Sequence, residues 1–172
     1  VCGGVPIIRS LKESLIANKI SKIYGILNGT SNYILSSMYK DNKNFQEVLS
    51  IAKKLGYAEA NPSTDLNGDD VAAKLKILSS LCFNSFLSDN IYVEGIKEID
   101  TVDINNANKL GYKIKLLGFA ELLNNNIYQR VHPTLIKKDT YVASIDGVLN
   151  AVIIDGKPVG QSIIQGEGAG PA

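Results

Sequence analysis

GYAEANPSTDLNGDDVAAKLKILSSL, residues Gly56 to Leu81, is the stretch around which the chain is organised. Asn67-Gly68 is a turn signal, and Val71, Leu75, Leu78 and Cys82 recur behind it at helical spacing, which predicts a helix opening near Asp69. Asp70 and Lys74 then lie one turn apart on one side of that helix. Glu59 and Asp65 precede it in a segment broken by Pro62, which reads as a loop folded back over the helix start. Glu59, Asp65, Asp70 and Lys74 can therefore converge there.

Two readings of that convergence stand side by side. An aspartate four residues before a lysine is the favoured order for an ordinary helix pair worth about 0.3–0.5 kcal/mol, and acids near a helix N-terminus complement its dipole. Alternatively, a mostly apolar helix carries Asp70 and Lys74 into a cleft, where Lys74 sheds hydration and exchanges protons near neutrality. Spacing alone does not separate the two.

The stretch also resembles the signature of homoserine dehydrogenases, which runs Gly-Tyr-x-Glu-x-Asp-Pro, then Asp-x-x-Gly-x-Asp, then a lysine four residues on. The matching positions are Gly56, Tyr57, Glu59, Pro62, Asp65, Gly68, Asp70 and Lys74; Asn61 stands where the family usually has aspartate.

The whole chain has 172 residues, 45% hydrophobic and 20% charged, enough for its own core. Its 18 basic and 17 acidic residues leave a net charge of +1 without a long like-charge run, which argues against nucleic acid or an anionic membrane as partner. Cys2 and Cys82 stand alone, with no CxxC and no histidine pair, so neither zinc nor a thiol nucleophile is indicated, and reduced thiols suit a cytoplasmic protein. No apolar run has the length of a membrane span. The start at Val1 and the end at GEGAGPA read as interior points of a longer polypeptide.

Taken in order, a glycine-rich start leads through Pro6 into IIRSLKESLIANK, a predicted helix ending near Asn18 with Ile7, Ile8, Leu11, Leu15 and Ile16 on its apolar face. Lys22 to Leu27 reads as a buried strand that turns at Asn28-Gly29 into a helix from Thr30 or Ser31 to Tyr39, and a helix start there suits a carboxylate. Phe45 to Leu55 is an amphipathic helix stopped by Gly56. IYVEGIKEI alternates like a strand, and Asp103 to Leu110 reads as a short helix closed by Gly111. Lys113 to Leu123 and Ile127 to Leu135 flank an asparagine turn, and Val148 to Ile154 and Val159 to Ile164 flank Asp155-Gly156, a hairpin signal. The fold class expected is α+β: a mixed β-sheet covered mainly on one face by helices from the first half. His132, at a strand end before Pro133, reads as structural.

GILNGTSNYIL resembles the family's second signature, which makes Gly29 and Thr30 substrate-side residues, with Tyr57 joining them by match. VCGGVPII resembles the loop whose carbonyls hold a monovalent cation, usually sodium. By match these are Val1, Gly3 and Val5, and the acidic ligand of that pattern would stand three residues before Val1, so weak cation binding at most is expected. The loop matching GEGAG lies against the cofactor in the family, which makes Gly166 and Gly168 cofactor-side contacts. Similarity covers nearly the whole chain.

The resemblance implies interconversion of L-homoserine and L-aspartate 4-semialdehyde with NADP or NAD, on the route to threonine and methionine, by a cytoplasmic homodimer. Lys74 would be the acid/base group, Asp70 would orient it, and Glu59, Asp65 and Asp70 would hold the substrate's amino group. Residues 1–172 would form one catalytic and dimerisation domain, with the nucleotide-binding half upstream and the isolated chain inactive. The alternative is a non-catalytic amino-acid-binding or dimerisation module; a dehydrogenase acting on another amino-acid alcohol is a third reading.

Overall fold

The computed structural model describes residues 1–84 and 91–168. After Pro6 the chain makes one helical turn, α1 (Ile7–Arg9), and widens at once into a π-helical turn, Ser10–Ser14. The regular helix expected as far as Asn18 is thus cut short. The Leu15 N–H donates to the Ser10 carbonyl at 2.8 Å, and this wider turn takes Ile7, Leu11 and Leu15, each four residues apart, into the core. Ile16, expected inside, is left 75% exposed.

Next come β1 (Lys19–Ile26), α2 (Gly29–Asp41), α3 (Phe45–Lys54), the short α4 (Ser63–Asn67) and α5 (Asp69–Phe83). The second half supplies β2 (Tyr92–Val93), α6 (Thr101–Lys109), β3 (Tyr112–Leu123), β4 (Asn126–Lys137), β5 (Leu149–Lys157) and β6 (Gly160–Glu167). Helix starts are capped as their sequences dictate: Asn28 accepts from the Ser31 N–H, and Asn44 with Glu47 and Asp100 with Asp103 form capping boxes.

Among the described residues the strands form one sheet in the order β2-β4-β3-β1-β5-β6. Neighbours are antiparallel except β2 and β4, which are parallel, so the sheet is mixed as the pattern predicts. Helices α2 and α5 lie against it, α5 over β1, β3 and β4 and α2 over β3 and β5. The main core sits in that layer, where Ile23, Leu116, Val152 and Ile154 meet Ile34, Leu75 and Leu78. Each such side chain contributes about 1.5–3 kcal/mol by leaving water. A smaller cluster, Ile26, Leu117, Ile145 and Ile153, is distinct from it and includes Val142 of the 3-10 turn Val142–Ser144.

Two strand expectations are corrected. IYVEGIKEI pairs only at Tyr92 and Val93, because the chain leaves the sheet at Gly95 to meet the end of α4. A Cβ on Gly95 would lie 2.1 Å from the Leu66 carbonyl oxygen, and the Ile96 N–H donates to that same oxygen at 2.8 Å. The second hairpin does not turn at Asp155-Gly156 either. Both residues lie within β5, where Asp155 meets Lys22 across the sheet, and the reversal falls at residues 157–159, where Pro158 has no N–H to give the ladder.

Candidate active site

Gly68, at φ +89°, ends α4 and opens α5, a reversal that a residue with a side chain rarely makes. The segment before α5 is therefore part helix, α4, where the sequence suggests only a loop. The reversal places Asp65 of α4 beside Asp70 of α5. Asp70 and Lys74 share one helix face, and their charges meet at 2.7 Å, Lys74 Nζ to Asp70 Oδ2. Lys74 also donates to the Leu27 carbonyl at 3.0 Å, just past the end of β1. Their side chains are 24% and 29% exposed, neither sealed in the core nor free in solvent.

Asn28 joins the two halves of this arrangement. Its Oδ1 accepts from the Ser31 N–H at 2.8 Å and caps α2, while its Nδ2 donates to Asp65 Oδ1 at 2.7 Å and to Asp70 Oδ2 at 2.9 Å. One carboxamide thus holds two carboxylates that would otherwise repel each other. Ser31 adds a bond from its hydroxyl to the Asp65 carbonyl at 2.9 Å, and Thr30 donates to the Tyr57 carbonyl at 2.7 Å. The Tyr57 ring packs on Tyr33, with centroids 4.9 Å apart.

These groups surround a cavity of about 250 Å³ lined by Asn28, Gly29, Thr30, Gly56, Tyr57, Asp65, Asp70 and Lys74, with Val148 and Gly168 completing it. The space takes a small polar molecule. Two carboxylates against one ammonium leave it net negative, which suits a ligand carrying its own ammonium. Lys74 has two partners among the described residues, so one of its three N–H groups is left for a ligand.

A family model described as homoserine dehydrogenase matches residues 6–172 of the chain. The chain belongs to the homoserine dehydrogenase family. It is 49% identical over 175 residues to the homoserine dehydrogenase of Synechocystis sp., a match covering 99% of this chain and 40% of that protein. The crystal structure of a homoserine dehydrogenase from Thiobacillus denitrificans superposes with a TM-score of 0.96 at 47% identity, over 99% of this chain and 40% of that one. A hyperthermophilic archaeal homoserine dehydrogenase mutant in complex with NADPH superposes with a TM-score of 0.82 at 29% identity, over 99% of this chain and 48% of that one. The chain spans about 40% of the length of the curated relatives it matches.

Of the homoserine dehydrogenase signature residues, Gly56, Tyr57, Asp65, Asp70 and Lys74 meet at the cavity, as do Gly29 and Thr30. Glu59 does not line it; it is exposed on the segment after Tyr57, with no hydrogen bond or ion pair to the described residues. Asn61, the departure from the family pattern, accepts from the Ser63 backbone and hydroxyl at the start of α4, a task that either aspartate or asparagine performs.

Gly168, expected on the cofactor side by the resemblance, is brought to the cavity. A Cβ there would lie 2.6 Å from the carboxamide of Asn150, which is wholly buried and has no hydrogen-bond partner among the described residues. Gly166 lies within β6 against Val5 and does not line the cavity, and the rest of GEGAG, residues 169 and 170, falls outside the described residues. The loop of Val1, Gly3 and Val5 offers neutral carbonyls only. That of Val5 already accepts from the Ile7 N–H at 2.8 Å, and residues 1–6 include no acid. These residues by themselves do not make up a cation site.

His132 contacts the Pro133 carbonyl at 2.8 Å and lies outside the cavity lining. Burial pushes the Cys82 thiol up to about 12, an inert side chain. Burial also pushes the Cys2 thiol up, with Lys74 the largest opposing influence. The residues that sequence reasoning misses are Asn28, read only as a turn, and Val148. An asparagine N-cap directly before Gly-Thr is a local signal for Asn28; Val148 has none, because it arrives from the far end of the chain.

Proposed function

We propose that this domain is the substrate-binding and catalytic half of an NAD(P)-dependent homoserine dehydrogenase, which interconverts L-homoserine and L-aspartate 4-semialdehyde on the way to threonine and methionine. The single observation that carries the reading is the Asp65–Asn28–Asp70–Lys74 cluster at the edge of a cavity of amino-acid size. In this reading Asp65 and Asp70 hold the substrate ammonium, while Glu59, exposed and outside the lining, contributes little. Gly29 and Thr30, at the start of α2, and Tyr57 position the remainder of the substrate. The hydride is supplied or accepted by the nicotinamide of NADP or NAD when bound, with the backbone of Gly168 on its side of the cavity.

Lys74 handles the proton. As the ammonium held by Asp70, it donates to the aldehyde oxygen as that carbon is reduced; as the neutral amine, it takes the hydroxyl proton in the reverse direction. Asp70 and the Leu27 carbonyl fix Lys74 in place for both. The nucleotide-binding half lies in a preceding segment, the enzyme is a cytoplasmic homodimer, and the isolated 172-residue chain does not turn over.

The deciding experiment places this domain in its full reading frame and follows NADP and NAD reduction with L-homoserine. Turnover with either cofactor is the expected result. A folded full-length protein that binds L-homoserine but reduces neither cofactor would overturn the dehydrogenase reading in favour of a binding module.

A further inference from the structure

Lys115 is 1% exposed, the most deeply buried charge among the described residues, and none of the chemistry above uses it. Strand β1 pairs with β3 only as far as Gly25 opposite Gly118, and with β5 only as far as Ile26 opposite Ala151. Beyond that point β3 and β5 have no strand between them, and Lys115 on β3 reaches into this end of the sheet. Its Nζ donates to the carbonyl of Ile145 at 2.6 Å, to Asp146 Oδ1 at 2.7 Å, to Asn32 Oδ1 at 3.0 Å and to Ser36 Oγ at 3.3 Å. Two of these partners belong to α2 and two to the connection that leads into β5.

The same connection is tied a second time. Asn32 Nδ2 donates to the Ile145 carbonyl at 3.2 Å and to the Leu149 carbonyl at 3.1 Å, bracketing residues 145–149. Lys113 holds the other Asp146 oxygen at 2.8 Å. Within the bracket, Val148 lines the substrate cavity and meets the first residue of α2 so closely that a Cβ on Gly29 would lie 2.7 Å from the Val148 carbonyl oxygen.

We propose that Lys115 is a positioning residue for the substrate cavity: through Ile145, Asp146 and Asn32 it holds the Val148 wall against the Gly29 end of α2. This rests on the homoserine reading of the cavity. Lys74 and Asp70 are anchored elsewhere, on α5, Leu27 and Asn28, so loosening the wall weakens substrate binding and leaves the proton-handling pair in place. The effect therefore falls on KM for L-homoserine and not on kcat.

The test uses the full-length enzyme with Lys115→Met, Asp146→Asn and the milder Ser36→Ala, the last keeping the question decidable if the first two do not fold. The expected result is a rise of about tenfold in KM for L-homoserine in Lys115→Met, with kcat and the cofactor KM within about twofold. Asp146→Asn and Ser36→Ala follow in the same direction. Hydrogen exchange of the 145–149 amides, which needs no activity, speeds up in step. Folded variants with an unchanged KM for L-homoserine, with kcat and KM falling together, or with unchanged exchange at 145–149 overturn the proposal. A wild type that does not oxidise L-homoserine defeats the substrate reading instead, and the exchange data still decide whether Lys115 holds the wall.

Discussion

Lys74–Asp70 and Lys115–Asp146 are both lysine–aspartate pairs 2.7 Å apart, and the resemblance ends there. Lys115 is sealed and spends its protons on four acceptors, so it has nothing to offer a ligand. Lys74 is 24% exposed at a cavity and has two partners, which leaves it a donor and a path to a substrate. Length and charge do not tell a working pair from a bracing pair; saturation and access do. The first pair contributes little to stability because water still reaches it, and the second matters because burying a charge without its partners is costly.

The sharpest way to break that contrast is Lys74→Ala in the full-length enzyme. Turnover with L-homoserine falls by about 10²–10⁴-fold while the thermal midpoint hardly moves. A mutant that lost stability but kept its turnover would make Lys74 the bracing lysine.

Asn28→Asp comes next, since it replaces the amide that separates Asp65 and Asp70 with a third carboxylate. kcat/KM drops by about 10–100-fold, read from initial rates, because Asp70 no longer holds Lys74 in one place. Asn28→Ala removes the helix cap as well, at about 1 kcal/mol in urea unfolding.

The bracing pair is probed through stability and pH. Asp146→Asn leaves Lys115 buried beside a neutral group, and because Asp146 is itself 46% exposed the cost is nearer about 2 kcal/mol than the 3–5 of a fully enclosed pair. Burial alone pushes the Asp146 carboxyl up, but hydrogen bonds from Lys113 and Lys115 outweigh it and hold the group below its ordinary value. The folded chain thus binds this proton less readily than the unfolded one. Its stabilising effect is present above about pH 4 and is lost as pH falls through the lowered value. Burial likewise lowers Lys115, so stability from that group rises as pH climbs from its lowered value toward about 10.4. Urea titrations across pH should find the acid limb flattened in Asp146→Asn.

The smallest effect is expected of Glu59→Gln. An exposed carboxylate outside the cavity lining raises KM for L-homoserine by no more than about fivefold, and kcat is unchanged. A larger loss would place Glu59 inside the working site.

Much of this site is legible in the chain because it is local. Asp70 and Lys74 share a helix face by spacing, Gly68 and Asn67 mark the reversal ahead of them, and Asn28-Gly29-Thr30 marks a strand turning into a helix. The misses are of a different kind. The π turn at Ser10–Ser14, the early exit of β2 at Gly95 and the reversal beyond Asp155-Gly156 each follow from a partner remote in sequence or from a wider turn than the apolar pattern suggests. Local propensity is silent on such partners.

The sequence by itself determined the helix that carries Asp70 and Lys74, the hairpin of β3 and β4 and the family, because periodicity, turn residues and a long mixed motif are properties of adjacent positions. Only the tertiary structure decided that Asn28 binds both Asp65 and Asp70, that Glu59 stands apart, and that Lys115, 83 residues from Asn32, ties α2 to Ile145 and Asp146 ahead of β5. Those contacts exist because buried polar groups must find partners, and which partners lie within reach is fixed by how the sheet and helices pack.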